Sequence, residues 1–221
     1  MEIKIIETGS GGNCFLFNDD LIIDAGLSYK KISETVDLSK LKVVMLTHIH
    51  GDHFNPTTIR KLAVKHNVKF ICGAFLIDRL LDLGIEKDQI IEVKSGKIYQ
   101  VVRYKIVPVI AYHDVDNFGY RIIDRNHKHF HITDTNSLEG IEAKDYDSAT
   151  IECNHEINAL EKLVERAEQN GEFTHLKGAK NSHLSVQKAL DFVKRNRIKK
   201  LIPVHIGSST EREVIDALRS N

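Results

Sequence analysis

The chain has 221 residues, enough for one substantial hydrophobic core or at most two small ones, and it balances 31 basic against 31 acidic residues. That balance leaves no whole-molecule field to draw in nucleic acid or an anionic membrane, although a local basic patch is still allowed. Three widely spaced cysteines, Cys14, Cys72 and Cys153, an opening MEIKII without a signal-like apolar stretch, and no run near the roughly 20 apolar residues that span a bilayer point to a soluble cytoplasmic protein without membrane contact.

Short β-type runs come first: EIKIIE, NCFLF and LIIDAG, separated by the turn SGGN, which predicts a meander rather than a βαβ start. KVVML then reads as a buried strand running into THIHGDH, residues 47 to 53. Pro56 opens a predicted helix, PTTIRKLAVKH. Strands at Phe70 to Cys72 and Ile90 to Val93 flank a second helix, AFLIDRLLDLG, with Gly84 as its stop.

From Tyr99 to Asp134 the texture is again β, through YQVVRYKIVPVIAYH, FGYRIID and HKHFHITDT. The helices HEINALEKLVERAEQ and SVQKALDFVKRN follow, enclosing the strand SATIE and a loop. A strand, KKLIPVH, and a short helix, TEREVIDALRS, close the chain. No repeat, low-complexity segment or linker divides it, so one domain over residues 1–221 is expected. Blocks of strands followed by helices predict a layered α/β or α+β sandwich, not a doubly wound sheet. No dinucleotide or Walker-type phosphate loop is present, since GSGGN lacks the lysine and the following helix.

The chemistry concentrates in THIHGDH. Imidazoles and a carboxylate at short range on a loop suit borderline divalent ions, and His48 and His50, two residues apart, are placed to share one. Asp52 and His53, just beyond Gly51, face a second position. An ordinary polar turn would not call for matching groups elsewhere, yet three later apolar strands each end in one: His113 after KIVPVIAY, Asp134 after FHIT and His205 after KKLIPV. One ion then receives His48, His50 and His113, the other Asp52, His53 and His205, with Asp134 between them and room for a bridging water.

Taken with these residues, HDVDNFGYRI, TDT, SHLS and PVHIGSS resemble the phosphodiesterase branch of the metallo-β-lactamase superfamily. GSGGNC, LIIDAGLS, THIHGDH, IECNHEINAL and SHLS, read in order from about Thr8 to Ser208, are most similar to its YycJ (WalJ) group, regarded as DNA exonucleases. The resemblance implies a four-layer αββα sandwich, two divalent ions, zinc or manganese, and DNA as the phosphodiester substrate. Departures are Asn136 after TDT where relatives usually carry glycine or another small residue, and a segment near Glu161 to Ala179 shorter than theirs. Neither a β-CASP domain nor a tRNA-gripping arm fits in this length, which disfavours transfer RNA processing.

Two ions can lower the pKa of a bridging water and neutralise a phosphoryl group during in-line attack. On the implied mechanism Asp52 also holds that nucleophile, and His183 donates a proton to the departing oxygen; the competing reading of His183 is a helix-cap neighbour. Asp24 orients a metal-binding histidine or, alternatively, bonds its own backbone in a turn. Asn154 and His155 either touch substrate or begin the next helix. His127, His129 and His131 alternate on one face and are expected on an exposed edge. Cys14 and Cys153 read as core packing, and the run KRNRIKK, Lys194 to Lys200, as a solvated face or a phosphate contact. Alternatives to a DNA exonuclease are a cyclic-nucleotide phosphodiesterase and a lactone or thioester hydrolase on the same fold. An iron oxidoreductase is disfavoured by His50, where glutamate is usual, and a structural zinc protein by the scarcity of cysteine.

Overall fold

A computed structural model describes residues 1–125, 127–172, 174 and 176–220; residues 173 and 175, inside the segment expected to be short, lie outside that set. The chain resolves into two compact units, residues 1–108 with 115–118, and residues 109–114 with 119–221. Among the described residues twelve strands run in chain order: β1 Ile3–Glu7, β2 Cys14–Phe17, β3 Leu21–Ile23, β4 Val43–Met45, β5 Lys69–Cys72, β6 Ile90–Glu92, β7 Tyr99–Val101, β8 Tyr104–Ala111, β9 Asn117–Asp124, β10 His127–Ile132, β11 Ser148–Glu152 and β12 Leu201–Val204. They form two mixed six-stranded sheets, ordered β1-β2-β3-β4-β5-β6 and β12-β11-β10-β9-β8-β7.

In the first sheet β1, β2 and β3 form the expected antiparallel meander, and β3 to β6 continue in parallel. In the second, β10, β11 and β12 are parallel while β9 runs against β10. Parallel neighbours end on the same side of a sheet, so the groups that follow them are gathered there by topology alone. This gathers Asp24 with THIHGDH after β3 and β4, and Asp134, Glu152 and His205 at the ends of β10, β11 and β12.

Each unit buries its own core. Leu16, Ile22, Val44 and Phe70 pack with Ile32 of helix α1 (Tyr29–Thr35), Ile59 and Leu62 of α2 (Pro56–His66) and Leu80 of α3 (Ile77–Asp82). In the second unit Phe130, Ile132, Ala149 and Ile151 meet Val186, Ala189 and Phe192 of α6 (Val186–Asn196) and Val214 of α7 (Glu211–Arg219). Between these lie α4 (Ile157–Gln169) and α5 (Leu176–Ser182). Pro56 begins α2 as expected, with Asn55 capping it by accepting from the Thr58 N–H. Helices α1 and α5 were not legible in the sequence: each has seven residues, and α1 buries only Ile32, so no apolar stripe announces it.

The histidine row corrects one expectation. Strand β10 lies inside its sheet, between β9 and β11, and His129 and His131 are fully buried. The reason is the partner strand, whose hydroxyls share their face. Ser148 Oγ lies 2.9 Å from His127 Nε2 and 2.8 Å from His129 Nδ1; Thr150 Oγ1 lies 2.9 Å from His129 Nε2 and 2.7 Å from His131 Nδ1. Alternating imidazole and hydroxyl thus satisfy a polar ladder that burial would otherwise penalise. Gly119 of β9 passes close to the same strand: a Cβ there would sit 2.9 Å from the His131 carbonyl.

Burial, reinforced by its neighbours His131 and His127, pushes the His129 pKa well below the ordinary imidazole value. The folded chain therefore holds this ring neutral while the unfolded chain takes up a proton below about pH 6.5. Stability is full above that value and falls as the pH drops beneath it. Urea midpoints are expected to decrease from pH 7.5 to pH 5, with a shallower decline in His129→Gln.

Candidate metal centre

In the first unit the ligand loop is assembled around a buried carboxylate. Asp24 follows β3 in the left-handed region, φ 60°, and is fully buried. Its Oδ1 accepts from the Thr47 N–H at 2.8 Å, and its Oδ2 contacts the Thr47 hydroxyl at 2.8 Å and His53 Nδ1 at 2.7 Å. Asp24 thus reaches across to the next strand's loop rather than bonding its own turn. Burial pushes its carboxyl up, and the His53 and Thr47 donors oppose that shift. The Thr47 oxygen also lies 2.9 Å from His48 Nδ1. With its hydrogen given to Asp24, Thr47 accepts from His48. Both rings are therefore pinned through Nδ1, and Nε2 is the nitrogen left to present a lone pair.

His48 packs into the same cluster, its ring edge-on to that of His50 at a centroid distance of 4.8 Å and tilted against that of His53 at 4.2 Å. Asp52 Oδ2 stands 3.6 Å from His53 Nε2. Asn13, from the glycine-rich turn, ties this end of the loop down: its N–H donates to the Asp52 carbonyl at 2.6 Å, and its Nδ2 lies 2.8 Å from His53 Nε2. The amide cannot be turned round, because Asn13 Oδ1 accepts from the Gly9 N–H at 2.9 Å and faces the Thr8 hydroxyl at 3.1 Å. An ion on His53 Nε2 would replace that single hydrogen bond, worth roughly 0.5–1.5 kcal/mol net. This is small against the roughly 10 kcal/mol or more that a divalent ion gains from such ligands.

The glycine this loop requires is not Gly51. A Cβ at Gly51 would meet nothing within 4 Å, whereas one at Gly26 would lie 1.7 Å from the Asp52 carbonyl oxygen. Close backbone approach between LIIDAG and THIHGDH is what demands glycine, at a position the sequence motif did not single out.

The second unit centres on Glu152, which sequence reasoning did not assign. It is fully buried at the end of β11. Oε2 accepts from the Thr135 N–H at 3.0 Å and the Leu184 N–H at 3.3 Å, while Oε1 faces His183 Nδ1 at 2.5 Å and His205 Nδ1 at 3.1 Å. Burial pushes the Glu152 carboxyl up, but the two histidine donors outweigh it and hold the group below its ordinary value. For His183 burial lowers the pKa, yet the Glu152 acceptor raises it above the ordinary imidazole value. The signal available was an acid closing a strand that is buried along its whole length, SATIE.

Asp134, φ 51°, and His205, φ 52°, follow β10 and β12 in the left-handed region, where non-glycine residues cost free energy and occur mostly where the surroundings impose them. Asp134 Oδ1 is 3.6 Å from His205 Nε2 and 3.7 Å from His183 Nδ1. One ligand atom each from Asp134, Glu152, His183 and His205 falls within a mutual 4.8 Å, a donor set suited to a borderline divalent ion. His113 follows β8, its Nδ1 3.3 Å from the Ser182 carbonyl and its ring centroid 5.8 Å from that of His183. Asn154 is engaged inward: Nδ2 donates to the His205 carbonyl at 3.2 Å and its own carbonyl accepts from the Gly207 N–H at 2.8 Å. It shapes the His205 loop instead of pointing to solvent.

Elsewhere the expected bystanders keep to their places. Cys14, Cys72 and Cys153 are buried free thiols, and burial pushes Cys153 up to about 12. In the basic run, Arg195, Arg197 and Lys199 pair with Asp191, Asp145 and Asp147 at 2.7 Å. Among the described residues no helix is long and apolar enough to cross a membrane.

A family model described as a β-lactamase superfamily domain matches residues 20–206. The chain belongs to the metallo-β-lactamase superfamily. The metallo-β-lactamase fold protein YhfI from Bacillus subtilis superposes with a TM-score of 0.77 at 16% identity, over 99% of this chain and 91% of that one. The short form of human tRNase Z gives 0.70 at 16% identity over 94% and 93%, and zinc-bound PqqB from Methylobacterium extorquens gives 0.77 at 12% identity over 98% and 95%. No curated protein matches the sequence. The mixed α/β class with two mixed sheets is thus the superfamily's fold.

If Asp24 sets the tautomer of His53, Asp24→Ala should weaken zinc or manganese binding about 10- to 100-fold, measured by competition with a chromogenic chelator. Gly26→Ala should cost at least the about 1–3 kcal/mol of ordinary overpacking, read from its unfolding midpoint, because the opposing atom is backbone.

Proposed function

We propose that the chain, acting as one hydrolase domain over residues 1–221, is a dinuclear metal-dependent phosphodiesterase, and that its substrate is DNA, degraded from an end. The observation that carries this reading is the buried Glu152 that holds His183 beside Asp134 and His205. A protonated imidazole set next to metal-ligand types is what departure of an alkoxide from phosphorus requires.

In this reading His48, His50 and His113 hold one divalent ion, and Asp52, His53 and His205 the other, with Asp134 shared; zinc and manganese both suit such nitrogen and oxygen donors. When bound, two such ions lower the pKa of a water and neutralise charge on the phosphoryl group. The chain's own groups do the rest. Asp52 accepts a hydrogen bond from the attacking water and fixes its direction. Asp24 and Thr47 keep the ligand nitrogens of His53 and His48 aimed by holding the opposite ring nitrogens. Glu152 accepts a hydrogen bond from the Nδ1–H of His183, so that Nε2 is the nitrogen that delivers a proton to the leaving oxygen. Asn154 fixes the His205 loop.

Support from relatives is of the same kind: structures with this fold include tRNase Z and a diphosphatase of the PhnP family. The test compares hydrolysis of a generic phosphodiester, linear single- and double-stranded DNA, RNA and 3′,5′-cyclic nucleotides with zinc or manganese, with Asp134→Ala as the blank. Progressive loss of DNA, absent from the blank, is expected. Cleavage confined to cyclic nucleotides would reassign the substrate, and turnover of lactones or thioesters alone would reassign the bond. His183→Ala should keep both ions yet lose about 10²- to 10⁴-fold in kcat; full turnover with full metal content would remove its role as acid.

A further inference from the structure

The second unit carries an exposed apolar strip directly beside two of the candidate ligands. Near the end of β8, Val109 and Ala111 point into the core, whereas Ile110 is 57% exposed and Tyr112, the residue before His113, 47% exposed. A single exposed apolar side chain needs no explanation. This strip differs in how firmly it is held. The Tyr112 N–H donates to Thr135 Oγ1 at 3.0 Å, and its carbonyl accepts from the Asn136 N–H at 2.8 Å. Tyr112 is therefore fastened between His113 and the loop that follows Asp134, on backbone bonds that leave its ring outward.

The same loop holds a cation. Lys188 Nζ donates to the Asn136 carbonyl at 3.0 Å, so an exposed ammonium and an exposed ring attach to opposite sides of one peptide-bonded residue. Among the described residues no carboxylate pairs with Lys188, in contrast to Arg195, Arg197 and Lys199 on the same side of the chain's sequence. A partly exposed aromatic ring suits a nucleobase, which stacks without regard to sequence. An unneutralised lysine next to it suits a phosphate.

We propose that Tyr112, with Ile110 beside it, is the stacking platform for an unpaired base at the end of a nucleic-acid strand, and that Lys188 takes the adjoining phosphate. This rests on the phosphodiesterase reading and names the part of the substrate that reading leaves open. The platform lies outside the ligand set and is independent of metal, so it can be measured without turnover.

The experiment is fluorescence anisotropy of a dye-labelled single-stranded oligodeoxynucleotide titrated with the full chain in chelator. Tyr112→Ala is expected to weaken binding about tenfold or more, and Tyr112→Phe to restore it. Lys188→Ala should lower the slope of log affinity against log salt by about one. Val64→Ala, a still more exposed apolar side chain on α2, serves as the unchanged control, and thermal unfolding confirms that each variant is folded. Wild-type affinity in Tyr112→Ala, or weak binding in Tyr112→Phe, overturns the platform. Hydrolysis of bis(p-nitrophenyl) phosphate by the metal-loaded wild type is followed separately. No turnover with Tyr112-dependent binding removes the phosphodiesterase reading and keeps the platform; turnover with Tyr112-independent binding does the reverse.

Discussion

An imidazole has two nitrogens, and a protein that wants one of them for a ligand or a proton transfer must occupy the other. Both units of this chain meet that constraint with a fully buried carboxylate: Asp24 beneath His53, and Glu152 beneath His183 and His205. Burying a carboxylate is costly unless donors surround it. Asp24 has Thr47 and His53; Glu152 has two backbone N–H groups and two imidazoles. Each acid is therefore tied to the neighbouring segments that supply its donors.

Much of this was legible. The candidate ligands after four strands could be picked out because a histidine or aspartate at the end of a buried run interrupts a pattern that packing alone would continue. Pro56, Gly84 and the two long amphipathic helices could be read for the same reason, as local signals with local causes. What escaped were residues whose meaning lies across the fold. Glu152 closes a buried strand and Asp134 follows one, yet the partners of Glu152, His183 and His205, are 31 and 53 residues away. Gly26 is required only because Asp52 approaches it. The histidine row was misplaced on an edge because its complement, Ser148 and Thr150, sits in another strand, and register cannot be seen in one strand alone.

The backbone carries part of the cost of this arrangement. Asp24, Asp134 and His205 each turn through the left-handed region just past a strand, a conformation that favours glycine. A glycine in any of these places would relax the turn and remove the side chain that the site's hydrogen bonds and candidate ligand set use. Retaining a functional side chain there exchanges some stability for position, and the surrounding hydrogen bonds, such as Asn154 on the His205 carbonyl, are what keep the turn from relaxing.

The close approach of Gly26 to Asp52 has one more implication. The loop of residues 47–53 is clasped by backbone contacts from Asn13, Ala25 and Gly26. Its shape is thus a property of the polypeptide, unlike a zinc finger, whose fold is made by its metal. Chelation should empty such a centre without dismantling it, and the empty protein should accept whichever suitable divalent ion its surroundings supply.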